Sequence, residues 1–272
     1  MTVRFVFDGE VPATRDAATV LVLREGDGAP EVFFVKRNAG VRFMGGAYVF
    51  PGGRLDANDC APEVPCDLDG EEAARRLGDD DAARARGLHV AALRECLEES
   101  GILLATTDVP DDTVATLRHA LEATPPPPLA ELLLRHDVTL AARCLVAHAR
   151  WVTPKLESKR FDARFFLARA PERAHTAVHD GRETVASAWI SPAEALARAL
   201  RKEIVLAPPT WRVLDGLKHA RTVEEALATR TSLAPVEPDV VLEGDTPFVV
   251  MPKSGELAWK FRYDDGAWTP CD

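Results

Sequence analysis

The chain has 272 residues, 46% hydrophobic and 28% charged, an ordinary globular composition. Its formal net charge is −10, which makes a nucleic-acid duplex or an anionic membrane surface a poor partner. It has no run of about 18 uncharged apolar residues, so no membrane helix is expected. The five cysteines (60, 66, 96, 144, 271) form no CxxC pair, which argues against a zinc knuckle or a disulfide framework and fits a reducing cytoplasm.

The first sixteen residues, MTVRFVFDGEVPATRD, lack the basic and apolar segments of a secretory signal. Residues 17–26 (AATVLVLREG) and 30–38 (PEVFFVKRN) are β-branched and aromatic, with GDGAP between them, and predict two strands joined by a turn. GGAYVFPGGRL (45–55) predicts a strand running into a glycine loop. Residues 56–70, with two prolines and four aspartates, are expected to be loop. Helices are expected over 71–77 and 83–100, the second from apolar residues at Leu88, Ala92 and Cys96 and at Leu93 and Leu97, with Gly101 as its stop. Residues 111–149 are expected to be mostly helical, interrupted by the proline run 125–128.

Strands resume at CLVAHARWVTP, at 160–171 and at 184–191. A helix should follow Ser191, with Pro192 in its first turn and Glu194 three residues after the cap. One further helix is expected over roughly 209–229, then a terminal hairpin within FVVMPKSGELAWKFRYDDG. The C-terminal WTPCD carries no readable targeting tripeptide. Strands and helices intermix throughout, so the class is α/β or α+β.

The unusual stretch is LRECLEESGI (93–102). Glu95, Glu98 and Glu99 stand at i, i+3 and i+4, on one side of the helix, where like charges repel by about a few tenths of a kcal/mol per pair. They also lie at a helix C-terminus, where the macrodipole disfavours anions. A solvated surface is the bland explanation. The chemical one is a site for Mg²⁺ or Mn²⁺, which take hard oxygen ligands and would reverse the sign of each repulsion. Arg94, four residues before Glu98, is placed to brace it. Upstream, Gly52 and Gly53 in FPGGRLDAND permit close backbone approach, so a backbone carbonyl there can complete a metal site. Arg37 and Arg42 precede the glycine loop, and guanidinium groups suit phosphate oxygens.

Arg94-Glu95-Cys96-Leu97-Glu98-Glu99-Ser100-Gly101-Ile102 resembles the second half of the Nudix box, R-E-U-x-E-E-x-G-U with U a bulky aliphatic, departing only at Cys96. In the first half, the family's glycine falls on Gly53 and its glutamate position on Asp59. Arg94 then follows 35 residues later instead of eight, so an insertion of about 27 residues, near 60–86, splits the box, and no role is assigned to Asp59. The spacing of Arg37, Arg42 and FPGG resembles the signature of Nudix hydrolases acting on coenzyme A and its thioesters. The split box and WVTPKLESKRFDARFF resemble the branch that includes peroxisomal coenzyme A diphosphatases.

The resemblance implies a Nudix α/β/α sandwich with a mixed sheet, in one domain spanning 1–272. Its additions would be the insertion, a helical elaboration at about 111–149 and a C-terminal helix and hairpin at about 209–272. It implies Mg²⁺ or Mn²⁺ held by Glu95, Glu98, Glu99 and a backbone carbonyl at Gly53, with Arg94 orienting a glutamate. Arg94, Glu98 and Glu183, the last in a late loop, form the implied catalytic set; His175 and His179 of that loop are weaker choices for a base. Arg37, Arg42 and Gly52 are the implied substrate contacts. The implied partner is a small nucleotide, not nucleic acid or membrane, with a homodimer as the default assembly. The implied reaction is hydrolysis of coenzyme A or acyl-CoA to 3′,5′-ADP and (acyl)phosphopantetheine. An ADP-ribose or dinucleotide diphosphatase and a non-catalytic nucleotide-binding module are the alternatives.

Overall fold

A computed structural model describes residues 10–40, 45–172, 174, 177, 181, 184–251, 259–264 and 267–271. The frame is a mixed seven-stranded sheet. Its strands are β1 (Thr14–Arg24), β2 (Glu31–Arg37), β3 (Tyr48–Val49), β4 (Gly52–Arg54), β5 (Val146–Val152), β6 (Arg160–Arg169) and β7 (Thr184–Ile190). The order is β3-β2-β1-β6-β5, with β4 added to β1 and β7 to β2. β1 and β6 run parallel, from Thr14 opposite Arg160 to Leu23 opposite Arg169, and the other pairings are antiparallel.

Both faces of the central strands are buried. Along β1, Ala18, Val20 and Val22 enter one core with Leu88, Leu93 and Leu97, while Leu21 and Leu23 enter the other with Trp211, Leu214 and Phe261. That is the period-2 alternation of a strand covered on both sides, and it explains why β1 reads as a nearly continuous apolar run. The first core is roofed by α1 (Gly70–Leu77), α2 (Ala82–Ser100), α3 (Asp111–Leu121) and α4 (Leu129–Arg135). The second is covered by α5 (Pro192–Leu200), α6 (Pro208–Leu217) and α7 (Val223–Ala228). The result is a mixed α/β sandwich.

The segment expected to be loop over 56–70 is more ordered than its composition suggests. Ala57–Cys60 form a 3-10 turn closed by reciprocal bonds between Asp56 and Asp59. Arg86 then satisfies the carbonyls of Ala61, Val64 and Leu68 from one guanidinium. α1, capped by Asp69, buries Ala73 and Leu77. Asp79, between α1 and α2, pairs with Arg84 at 2.6 Å and with Arg164 of β6 at 3.6 Å. The split in the box is therefore filled by a packed helix that leads into α2.

Two further expectations change. The helix expected over 209–229 is two helices, because Thr222 starts a new N-terminus by accepting from the Glu225 N–H. The terminal hairpin is present as β9 (Thr246–Val250) with β10 (Lys260–Asp264), but β8 (Asp239–Glu243) and β11 (Ala267–Cys271) flank it in a four-stranded antiparallel sheet. Val249, Phe261 and Trp268 of that sheet pack into the second core. Ser191 caps α5 as expected, with Pro192 at its first position. Among the described residues no helix is long and apolar enough to cross a membrane, and all five cysteines are free.

Candidate active site

The site forms where the carboxyl end of α2 meets β4. Thr19, Ala18 and Ala17 of β1 pair with Gly52, Gly53 and Arg54. This register holds the two glycines against α2. A Cβ on Gly52 would lie 2.5 Å from Thr19 Oγ1 and 2.6 Å from the Ala18 carbonyl oxygen; one on Gly53 would lie 2.2 Å from Glu95 Oε1. Both are closer than real Cβ contacts allow; at Gly52 the obstacle includes backbone, so glycine is required there, whereas at Gly53 it is the movable end of the Glu95 side chain.

Arg94 organises the acidic turn. It is buried, and its guanidinium donates from Nε to Asp59 Oδ1 at 2.8 Å and from Nη2 to Asp59 Oδ2 at 2.9 Å. Nη1 donates to Glu95 Oε1 at 2.8 Å and to Glu98 Oε1 at 3.1 Å, and Nη2 also reaches the Arg54 carbonyl at 3.1 Å. Burial works against the charge on Arg94, but the Asp59 hydrogen bonds and the neighbouring carboxylates outweigh it and raise its pKa. Glu99 is anchored separately: its Oε2 accepts the Gly52 N–H at 3.0 Å.

Two of the glutamates hold protons more tightly than usual. Desolvation, with help from the charge of Glu98 and against the pull of Arg94, pushes Glu95 up to about 7. Glu98 is raised too, again mainly by desolvation against Arg94. Such shifts are what a cleft that concentrates carboxylates produces, and they recur at functional sites.

The structure thus gathers Arg94, Glu95, Glu98, Glu99, Gly52 and Gly53, and adds Asp59. Asp59 is fully buried and is the bidentate partner of Arg94, so leaving it without a role is corrected. The signal was present in the Gly53-to-Asp59 spacing; the 35 residues separating Asp59 from Arg94 concealed it, and the packed insertion closes that gap in space. Arg37 sits at the end of β2, in the turn where its N–H donates to the Ala47 carbonyl at 2.9 Å. Arg42, Glu183, His175 and His179 lie outside the described residues.

Among the described residues no three His, Cys, Asp or Glu side chains stand as a ready metal cluster. The donor chemistry still fits a hard divalent cation. Glu95 and Glu98 aim one oxygen each at the same positively charged nitrogen, and Glu99 is held beside the glycine pair, which lies in strand β4 and not in the loop expected from the sequence. Next to this turn is a cavity of about 90 Å³, whose lining includes Asp59 and Glu98 together with Leu121, Pro126 and Pro127. A wider, open depression of about 400 Å³, lined by Arg15, Asp16 and Arg54, adjoins it across Asp56.

A mixed sheet between helical layers, with an R-E-x-x-E-E-x-G turn closed over a glycine pair, defines the architecture of a Nudix hydrolase. A solved structure agrees: a NUDIX hydrolase from Alicyclobacillus acidocaldarius superposes with a TM-score of 0.64 at 29% identity, covering 82% of this chain and 99% of that one. The family model of the NUDT19 Nudix domain matches residues 71–215, more than half of the chain, and the chain belongs to that family, whose enzyme class is the Nudix-type diphosphatase. Acyl-coenzyme A diphosphatase NUDT19 of Gallus gallus is 28% identical, covering 75% of this chain and 68% of that protein. The Homo sapiens protein of the same name is 30% identical, covering 71% and 62%. The chain thus spans about two thirds of the length of these relatives or somewhat less.

Proposed function

We propose that the protein is a divalent-metal-dependent diphosphatase of coenzyme A or acyl-CoA, releasing 3′,5′-ADP and phosphopantetheine or its acyl form. The observation that carries this reading is the convergence of Glu95 and Glu98 on one nitrogen of a buried Arg94, beside Glu99 and the glycine pair. The substrate class is supported by the name of the curated relatives. Glu95, Glu98, Glu99 and the Gly53 carbonyl would hold Mg²⁺ or Mn²⁺. That cation would supply a Lewis acid for the phosphoryl oxygens and a more acidic water.

The chain's own residues do the rest. Arg94 fixes the directions of Glu95 and Glu98 and touches no substrate, and Asp59 fixes Arg94. Glu98, more exposed than Glu95 and bordering the cavity, would take a proton from the attacking water, with Glu183 as the other choice of base. Attack on one phosphorus breaks its bond to the bridging oxygen, which leaves with the other phosphate. Arg37, Arg42 and the Gly52 backbone would contact the anionic substrate. The apolar residues of the cavity lining, Leu121, Pro126 and Pro127, offer no charge to a phosphate and would suit the uncharged arm of coenzyme A. Residues 1–272 act as one domain in this reading, because the C-terminal sheet shares a core with β1 and β2. Five free thiols fit a reducing compartment such as the cytoplasm.

The test is mass-spectrometric product analysis with Mg²⁺ or Mn²⁺ and a panel of coenzyme A, acetyl-CoA, ADP-ribose, NADH and diadenosine polyphosphates, with Glu98→Gln alongside. Metal-dependent release of 3′,5′-ADP, lost in the variant, is expected. Turnover of ADP-ribose or dinucleotides alone would keep the site and overturn the substrate. Nucleotide binding without turnover would make the chain a binding module.

A further inference from the structure

The end of α2 has a problem that Arg94 does not solve. The last carbonyls of a helix lack partners within it, and the dipole there is negative. Here that end also carries Glu95, Glu98 and Glu99. A cation from outside the Nudix box meets it. Arg118, on α3, donates from Nε to the Glu98 carbonyl at 3.0 Å and from Nη2 to the Glu99 carbonyl at 3.4 Å. Gly101, the residue that ends the helix, has φ 71° and lies so close that a Cβ on it would be 3.0 Å from Arg118 Nη1. The glycine stop and the arginine are therefore fitted to each other. α3 reaches the site a second time through Leu121, which shares the small cavity with Glu98.

We propose that Arg118 is a positioning residue for the catalytic turn. Arg94 holds Glu95 and Glu98 by their carboxylate oxygens. Arg118 holds the backbone from which the Glu98 and Glu99 side chains leave. With both ends fixed, the carboxylates are preorganised for a divalent cation. With Arg118 removed, the repelling charges sit on a last turn that is free to fray, and the cation must order it on binding. A guanidinium fork can bridge two successive carbonyls at once, whereas an ammonium offers a single nitrogen. The proposal rests on the metal-dependent reading above.

The experiment compares wild type, Arg118→Met and Arg118→Lys. Mn²⁺ binding is titrated by the electron paramagnetic resonance signal of the free ion, and kcat and KM are measured with acetyl-CoA at saturating Mn²⁺. Arg118 is half-buried, so the variants should fold. Arg118→Met is expected to weaken Mn²⁺ binding and lower kcat, each by about ten-fold or more, with KM changed little. Arg118→Lys should recover part of both losses. A thermal midpoint that falls in Arg118→Met while Mn²⁺ affinity and kcat stay at wild-type values would make the residue a helix cap only and overturn the proposal. A wild type that neither binds Mn²⁺ nor hydrolyses any diphosphate would overturn the functional reading and this one together.

Discussion

Asp59→Asn tests the centre of the site. Asp59 and Arg94 are both buried, joined by two hydrogen bonds of 2.8 and 2.9 Å. Removing one partner of a buried ion pair costs about 3–5 kcal/mol, because the other charge stays desolvated. Asparagine keeps one acceptor oxygen, and Arg94 retains Glu95 and Glu98 as anionic neighbours. The cost should therefore lie below that range, at about 2 kcal/mol, which for a chain of this size lowers Tm by about 4–8 °C. Activity should fall further than stability, because an Arg94 released from Asp59 no longer fixes the two glutamates; a loss of about ten-fold or more in kcat/KM is expected. Asp59→Glu restores the residue type of the family's box, yet a further methylene in a fully buried position should cost about 1–3 kcal/mol. Thermal unfolding followed by circular dichroism, together with steady-state kinetics on acetyl-CoA, measures both. A Tm and kcat/KM of Asp59→Asn equal to wild type would refute the view that this pair organises the site.

Two neighbouring glycines should fail in different ways. At Gly52 a new Cβ meets backbone, the Ala18 carbonyl at 2.6 Å, so Gly52→Ala should lower the denaturant midpoint with or without metal. At Gly53 it meets the end of the Glu95 side chain, which can move, so Gly53→Ala should stay folded but lose Mn²⁺ affinity by about ten-fold or more; equal affinity would remove Gly53 and Glu95 from the cation site. Acid should destabilise the fold through His89 and His148, both buried and pushed down to about 4, chiefly by desolvation. The unfolded chain takes up those protons more readily, so the stability from neutral histidines is complete above about pH 6.5 and is lost as pH falls toward about 4. Linkage puts this at about 3 kcal/mol for each histidine. Urea midpoints that stay flat from pH 7 to 5 would contradict it.

Much of the frame was legible along the chain. β1 and β2 showed as apolar runs, α2 through its 3.6-residue spacing, and α5 through its Ser191-Pro192 start. The single helix expected over 209–229 failed because its apolar pattern continues past a capping threonine at 222. β8 and β11 went unread because short strands at the edge of a sheet have little pattern of their own. β8 is largely exposed, and β11 contains Pro270.

What the sequence by itself determined was the chemistry of the turn. Three glutamates at i, i+3 and i+4 with an arginine before them must share one helix face, because helical geometry is local and repeats every 3.6 residues. Only the tertiary structure decided what stands around that face. Asp59 reaches Arg94 across 35 residues because α1 packs the intervening chain away, and Arg118 reaches the end of the same helix from α3. Those contacts depend on how helices pack over the sheet, a balance of long-range burial that no spacing within a motif encodes.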